Sequence, residues 1–110
     1  MTNNSSLNEL FEPIDNGSRL TPYWREWCAM GEFLRDKRSL QDGLAYLIGH
    51  KFLGCFSHAD AAEEAYFAAE IRRVFTAEQM KPYLKRLLRT REPQTLAKVK
   101  RARKLLLEEQ

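Results

Sequence analysis

The chain has 110 residues, enough for one domain with its own core, and its 44% hydrophobic and 30% charged content excludes a disordered or fibrous class. Its net charge of +3 and pI near 9.0 hide a division: residues 1–70 carry 11 acidic and 6 basic side chains, residues 71–110 carry 4 and 12. The longest apolar stretches, Leu44 to Ile48 and Ala65 to Ala69, are too short for a membrane span.

The opening segment MTNNSSLNELFEPIDNGS has neither the basic n-region nor the apolar h-region of a secretory leader. Cys28 and Cys55 are too few for a disulfide framework. Both features predict a soluble, cytoplasmic protein with reduced, buried thiols, a single bridge between them being the alternative. Leu7, Leu10 and Phe11 suggest one short helical turn, ended by Pro13 and the Asp15-Asn16-Gly17-Ser18 run. Residues 1–20 therefore read as a weakly structured arm laid over the core.

Helical periodicity governs the chain from residue 21 onward, and no alternating strand pattern persists. The expected fold is all-α, a single compact domain of four to five helices in a bundle-like or orthogonal array, ending in a basic helix. Residues 21–91 form its core and residues 92–110 a basic amphipathic helix whose order when free is left open. The first core helix opens with Thr21 as N-cap and Pro22 at its first position, and runs to about Lys37. Its inward stripe is read as Tyr23, Trp27, Met30 and Leu34, with Trp24, Cys28 and Gly31 beside it. Ser39 and Asp42 resemble a capping box that opens a helix burying Leu40, Leu44, Leu47 and Ile48. That helix is expected to fray between Gly49 and Gly54.

Ser57 or Asp60 caps an Ala-rich helix reaching about Val74. At the next boundary two signals coincide: Thr76 and Gln79 form a capping box, and Phe75 and Met80 occupy the ends of a hydrophobic staple. Pro82 lies inside the helix so begun, where a proline costs about 3 kcal/mol, so a kink or restart is expected. Arg89 to Pro93 is a polar break. Pro93 then starts the last helix, with Leu96, Val99, Ala102, Leu106 and Leu107 on one face and Lys98, Lys100, Arg101 and Lys104 on the other.

Five cations fall within seven residues, Lys98 to Lys104. Such a run neutralises phosphates without reading sequence, or meets carboxylates of an acidic protein. The competing reading is a solvated face whose charges pair with the acidic first seventy residues. Arg103 lies inside the apolar stripe, so it must snorkel, pair with a carboxylate or reach a partner. No helix-turn-helix, zinc-finger or aromatic RNA-reading motif accompanies the run.

Cys28, His50, Cys55 and His58 are the one set resembling metal ligands, and they lack the paired spacing of a zinc site. A Cys55 nucleophile with His50 or His58 has no orienting third group in view. Asp60, Glu63, Glu64 and Glu70 read as a solvated acidic face. Tyr23, Trp24 and Trp27 are expected to pack in the core, with Trp24 the exposed member if one of them meets a partner. Tyr46, with His50 and Leu53, forms a second stripe on the next one, so Trp24 and Tyr46 are candidate interface aromatics.

The expectation is a non-enzymatic interaction or regulatory module without cofactor or metal. Its partner is an acidic protein, bound through Lys98, Lys100, Arg101, Arg103 and Lys104 with Arg89 and Arg91. The alternative is a nucleic-acid-associated protein using the same residues on phosphates without base-specific readout. Self-association into a homo-oligomer through the aromatic helices is a further expectation.

Overall fold

The computed structural model describes residues 21–56 and 60–107. The arm expected over 1–20, together with Ser57, His58, Glu108 and Glu109, lies outside the described residues. The architecture is all-helical, and no strand occurs among the described residues. Among the described residues five helices run in order: α1 (Thr21–Lys37), α2, α3 (Ala61–Val74), α4 (Ala77–Leu87) and α5 (Pro93–Leu107). Helix α2 is composite, with an α-helical start at Leu40–Leu44, a π-helical stretch at Ala45–Phe52 and a last α-turn at Leu53–Cys55, all in right-handed backbone.

Local chemistry sets the boundaries. Thr76 Oγ1 accepts from the Gln79 N–H at 3.1 Å and the Gln79 side chain accepts from the Thr76 N–H at 3.0 Å, so the predicted box is complete. Phe75 and Met80, the staple positions, are both buried. Asp60 and Glu63 close a second reciprocal box at the start of α3, at 2.8 and 2.9 Å. The expected box at Ser39 is only half made. Its Oγ accepts from the Asp42 N–H at 3.0 Å, while the Asp42 carboxylate pairs with Arg38 at 3.5 Å.

The expected restart at Pro82 and the expected fraying of α2 are overturned. Helix α4 neither ends nor restarts at Pro82. Pro82 and Glu78 are both exposed, so the Glu78 carbonyl deprived of its donor lies where water reaches it. Nor does α2 fray at Gly49. It widens instead, and the Leu53 N–H reaches the Ile48 carbonyl five residues back. Gly49 meets Tyr83 of α4 here: a Cβ at position 49 would stand 2.3 Å from the Tyr83 hydroxyl.

Helices α1 and α2 touch through glycines. A Cβ on Gly43 would fall 2.8 Å from the Gly31 carbonyl, and one on Gly31 would press on Leu47 at 3.0 Å. Small residues thus let the two backbones approach. Over this contact lies a core drawn from all five helices: Trp24, Leu44, Leu47, Ile48, Phe52, Phe67, Ile71, Leu84, Ala102 and Leu106, among others. Phe67 is its hub. It stacks on Trp24 (5.7 Å between ring centres), tilts against Trp27 (5.6 Å) and meets Phe52 edge-on (5.3 Å).

The buried face of α1 differs from expectation. Trp24 and Gly31 point inward, Trp27, Cys28 and Leu34 are half-buried, and Tyr23 and Met30 are exposed. The helix is apolar around most of its circumference, so periodicity alone put the centre of the stripe about one residue off. Trp24, the member expected to be exposed if one of the three aromatics met a partner, is fully buried.

Candidate functional site

From Thr76 to Leu107 the chain carries ten cations and two carboxylates, Glu78 and Glu92. These residues build the α4–α5 hairpin. Its inner side is apolar: Met80, Tyr83 and Leu84 of α4 and Val99, Ala102 and Leu106 of α5 are buried. Its turn is held by polar contacts, the Glu92 N–H donating to Thr90 Oγ1 at 3.3 Å and the Thr95 hydroxyl donating to the Glu92 carboxylate. The cations are pushed to the outside by this packing. Lys81 and Lys85 lie one turn apart on α4, Lys100 and Lys104 one turn apart on α5, and all four are exposed, as are Arg89 and Arg91. Lys98 is half-buried.

The expected site residues therefore divide in two. Arg101 is drawn into the fold: its Nη2 lies 2.7 Å from Glu64 Oε1, and its guanidinium stands 5.6 Å from the centre of the Phe56 ring. Arg103 is half-buried, as its place in the apolar stripe requires, and is engaged within the chain. Arg86 is also occupied, donating to Gln41 Oε1 at 2.6 Å over the Tyr83 ring. By contrast, no carboxylate of the described residues lies within ion-pairing distance of Lys81, Lys85, Arg89, Arg91, Lys100 or Lys104. Several acidic groups in the first part of the described chain are engaged nearby. Asp36 and Glu32 flank Arg35, Asp42 pairs with Arg38, and Asp60 and Glu63 cap α3.

Comparison of the chain with protein-family models, with curated proteins and with solved structures finds no match.

Glu64 corrects the reading of α3 as a solvated acidic face. It is 2% exposed, and burial pushes its carboxyl up, against the pull of Arg101 and with a contribution from Asp60. The signal was present in the spacing, since Glu64, Phe67, Ala68 and Ile71 stand at i, i+3, i+4 and i+7, all buried. Two other arginines were missed as structural. Arg35 Nη1 donates to the Val74 carbonyl at 2.5 Å, and Arg72 Nη1 donates to the Leu105 carbonyl at 2.6 Å. Each closes the last turn of another helix.

The thiols have no reactive setting. Burial, then Glu70 and Glu32, pushes Cys28 up to about 12, and burial, then Glu63 and Glu64, pushes Cys55 up to about 11. Both are protonated at neutral pH and poor nucleophiles. Neither is in a disulfide, and no group of three His, Cys, Asp or Glu among the described residues is arranged to hold a metal ion. Cys28 opens on a cleft of about 310 Å³ between α1 and α3, where Arg25 and Arg73 face Glu32 and Glu70. Tyr46 is half-buried beside His50, with the Lys51 ammonium 5.6 Å from its ring centre. Among the described residues no helix is long and apolar enough to cross a membrane.

Proposed function

We propose that this protein is a non-catalytic interaction module that binds an acidic protein partner through the outer surface of its α4–α5 hairpin. One observation supports the reading: six exposed cations of the hairpin, Lys81, Lys85, Arg89, Arg91, Lys100 and Lys104, have no ion-pair partner among the described residues. Among the described residues, the ion pairs formed by Glu32, Asp36, Asp42 and Glu64 are made with other arginines. Arg101 ties α5 to α3 through Glu64, and a surface fixed in this way would lower the ordering cost of association. The hairpin's one tyrosine, Tyr83, is buried under Arg86, so the hairpin itself offers no exposed tyrosine ring to stack on a base.

The test is a titration of the full chain with a fluorescent Glu/Asp-rich peptide at two salt concentrations, with short duplex DNA as competitor. Salt-sensitive binding that falls roughly tenfold in Lys100→Glu/Lys104→Glu, at unchanged thermal stability, is expected. Preference for the duplex would transfer the surface to nucleic acid. Failure to bind either at low salt would reject the reading.

A further inference from the structure

The solvent side of α1 carries a second, unrelated surface. Tyr23, Met30 and Phe33 leave 53%, 43% and 53% of their areas open, and Glu26 and Lys37 are exposed beside them. Positions 26, 30, 33 and 37 are separated by intervals of four, three and four, which keep side chains in one line along a helix. The line reads acid, apolar, apolar, base. Next to it lies an open groove of about 550 Å³ lined by Glu26, Trp27, Ala29, Met30, Phe33 and Tyr46.

We propose that this stripe seats a second copy of the chain, with the two α1 helices antiparallel about a two-fold axis passing between positions 31 and 32. The sequence of the stripe is its own complement under that operation. Glu26 meets the partner's Lys37, Met30 meets the partner's Phe33, and both contacts recur on the other side of the axis, as an isologous interface requires. A parallel pair would instead oppose Glu26 to Glu26 and Lys37 to Lys37. The groove beside Met30 takes the partner's Phe33 against Trp27 and Tyr46, burying the large apolar side chains that α1 leaves in water. Within one chain Glu26 and Lys37 are three helical turns apart, so neither meets the other without a second copy. This dimer does not rest on the basic hairpin, and the two readings fail separately.

Sedimentation equilibrium of the full chain across micromolar to millimolar concentration reads the association directly. Dimers are expected in the wild type and monomers in Phe33→Glu. Glu26→Lys and Lys37→Glu, each alone, should weaken the dimer roughly tenfold or more, because every reversal acts in two symmetric pairs. The double variant Glu26→Lys/Lys37→Glu should recover the wild-type affinity, and an equal mixture of the two single variants should form mixed dimers. All these positions are exposed, and circular dichroism checks that each variant folds. A wild type that stays monomeric throughout would overturn the proposal and leave the stripe to residues 1–20 of the same chain or to another protein. A dimer indifferent to the single reversals, or not restored by the double one, would overturn it too.

Discussion

Arg101→Ala would leave the Glu64 carboxylate inside the fold without its counter-ion. The cost at neutral pH is expected to be roughly 1–3 kcal/mol, below the 3–5 of a fully buried pair because about half of Arg101 already lies in water. The penalty has a pH signature. Burial raises the Glu64 carboxyl above its unfolded value, so the folded chain holds that proton more tightly than the unfolded one. The stability it contributes is fully present below the unfolded pKa and is lost as pH rises through the raised folded pKa. Asp36 works in the opposite sense. The Arg35 hydrogen bond holds it low, and its contribution disappears only as pH falls through that lowered value. Urea unfolding from about pH 7 to about pH 4.5 should therefore show the Arg101→Ala deficit shrinking on acidification, and Glu64→Gln should lack the wild type's gain over that window. Parallel curves for the three proteins would reject the assignment.

The meeting of α2 with α4 depends on one missing methyl group. Gly49→Ala offers the helix up to about 1 kcal/mol of propensity, yet it drives a Cβ to 2.3 Å from the Tyr83 hydroxyl. A net loss of roughly 1–3 kcal/mol is expected in thermal or urea unfolding. Removing the hydroxyl should reverse the sign: the next atom, Tyr83 Cζ, is 3.5 Å away, an ordinary contact, so Gly49→Ala/Tyr83→Phe should be at least as stable as Tyr83→Phe alone. Such coupling between positions 34 apart marks where reading by local pattern stops. The caps at Thr76 and Gln79, and the start at Pro93, were legible because the groups that satisfy each other lie within one turn. The inward stripe of α5 was legible because its polar and apolar sides differ. Helix α1 was not, since Tyr23, Trp24, Trp27, Met30, Phe33 and Leu34 leave too little polar contrast to fix which side turns in. The π-helical stretch has no signature within α2 itself, as its neighbour Tyr83 comes from α4. Of the seven expected basic site residues, pattern set Arg103 apart by its place in the apolar stripe but did not separate Arg101 from the unpaired cations. That distinction depends on Glu64, which sits on another helix.

At the scale of the whole chain, the last helix carries the cations outward while Val99, Ala102 and Leu106 sit in the common core. A chain ending at Arg91 loses these three buried side chains, roughly 4–7 kcal/mol of burial out of a total stability of about 5–15. It should melt far below the full chain, or not fold at all, by circular dichroism. Retention of a native melt would show that residues 21–91 fold unaided. The two arginine contacts carry this dependence further. Arg35 of α1 answers the terminal carbonyl of α3, and Arg72 of α3 answers a carbonyl in the last turn of α5. Helices α3 and α5 are each finished by a side chain borrowed from a helix laid down earlier, so removing α1 leaves α3 open and removing α3 leaves α5 open. During synthesis Arg35 can close on α3 once Val74 is in place, whereas Arg72 waits for Leu105 of α5.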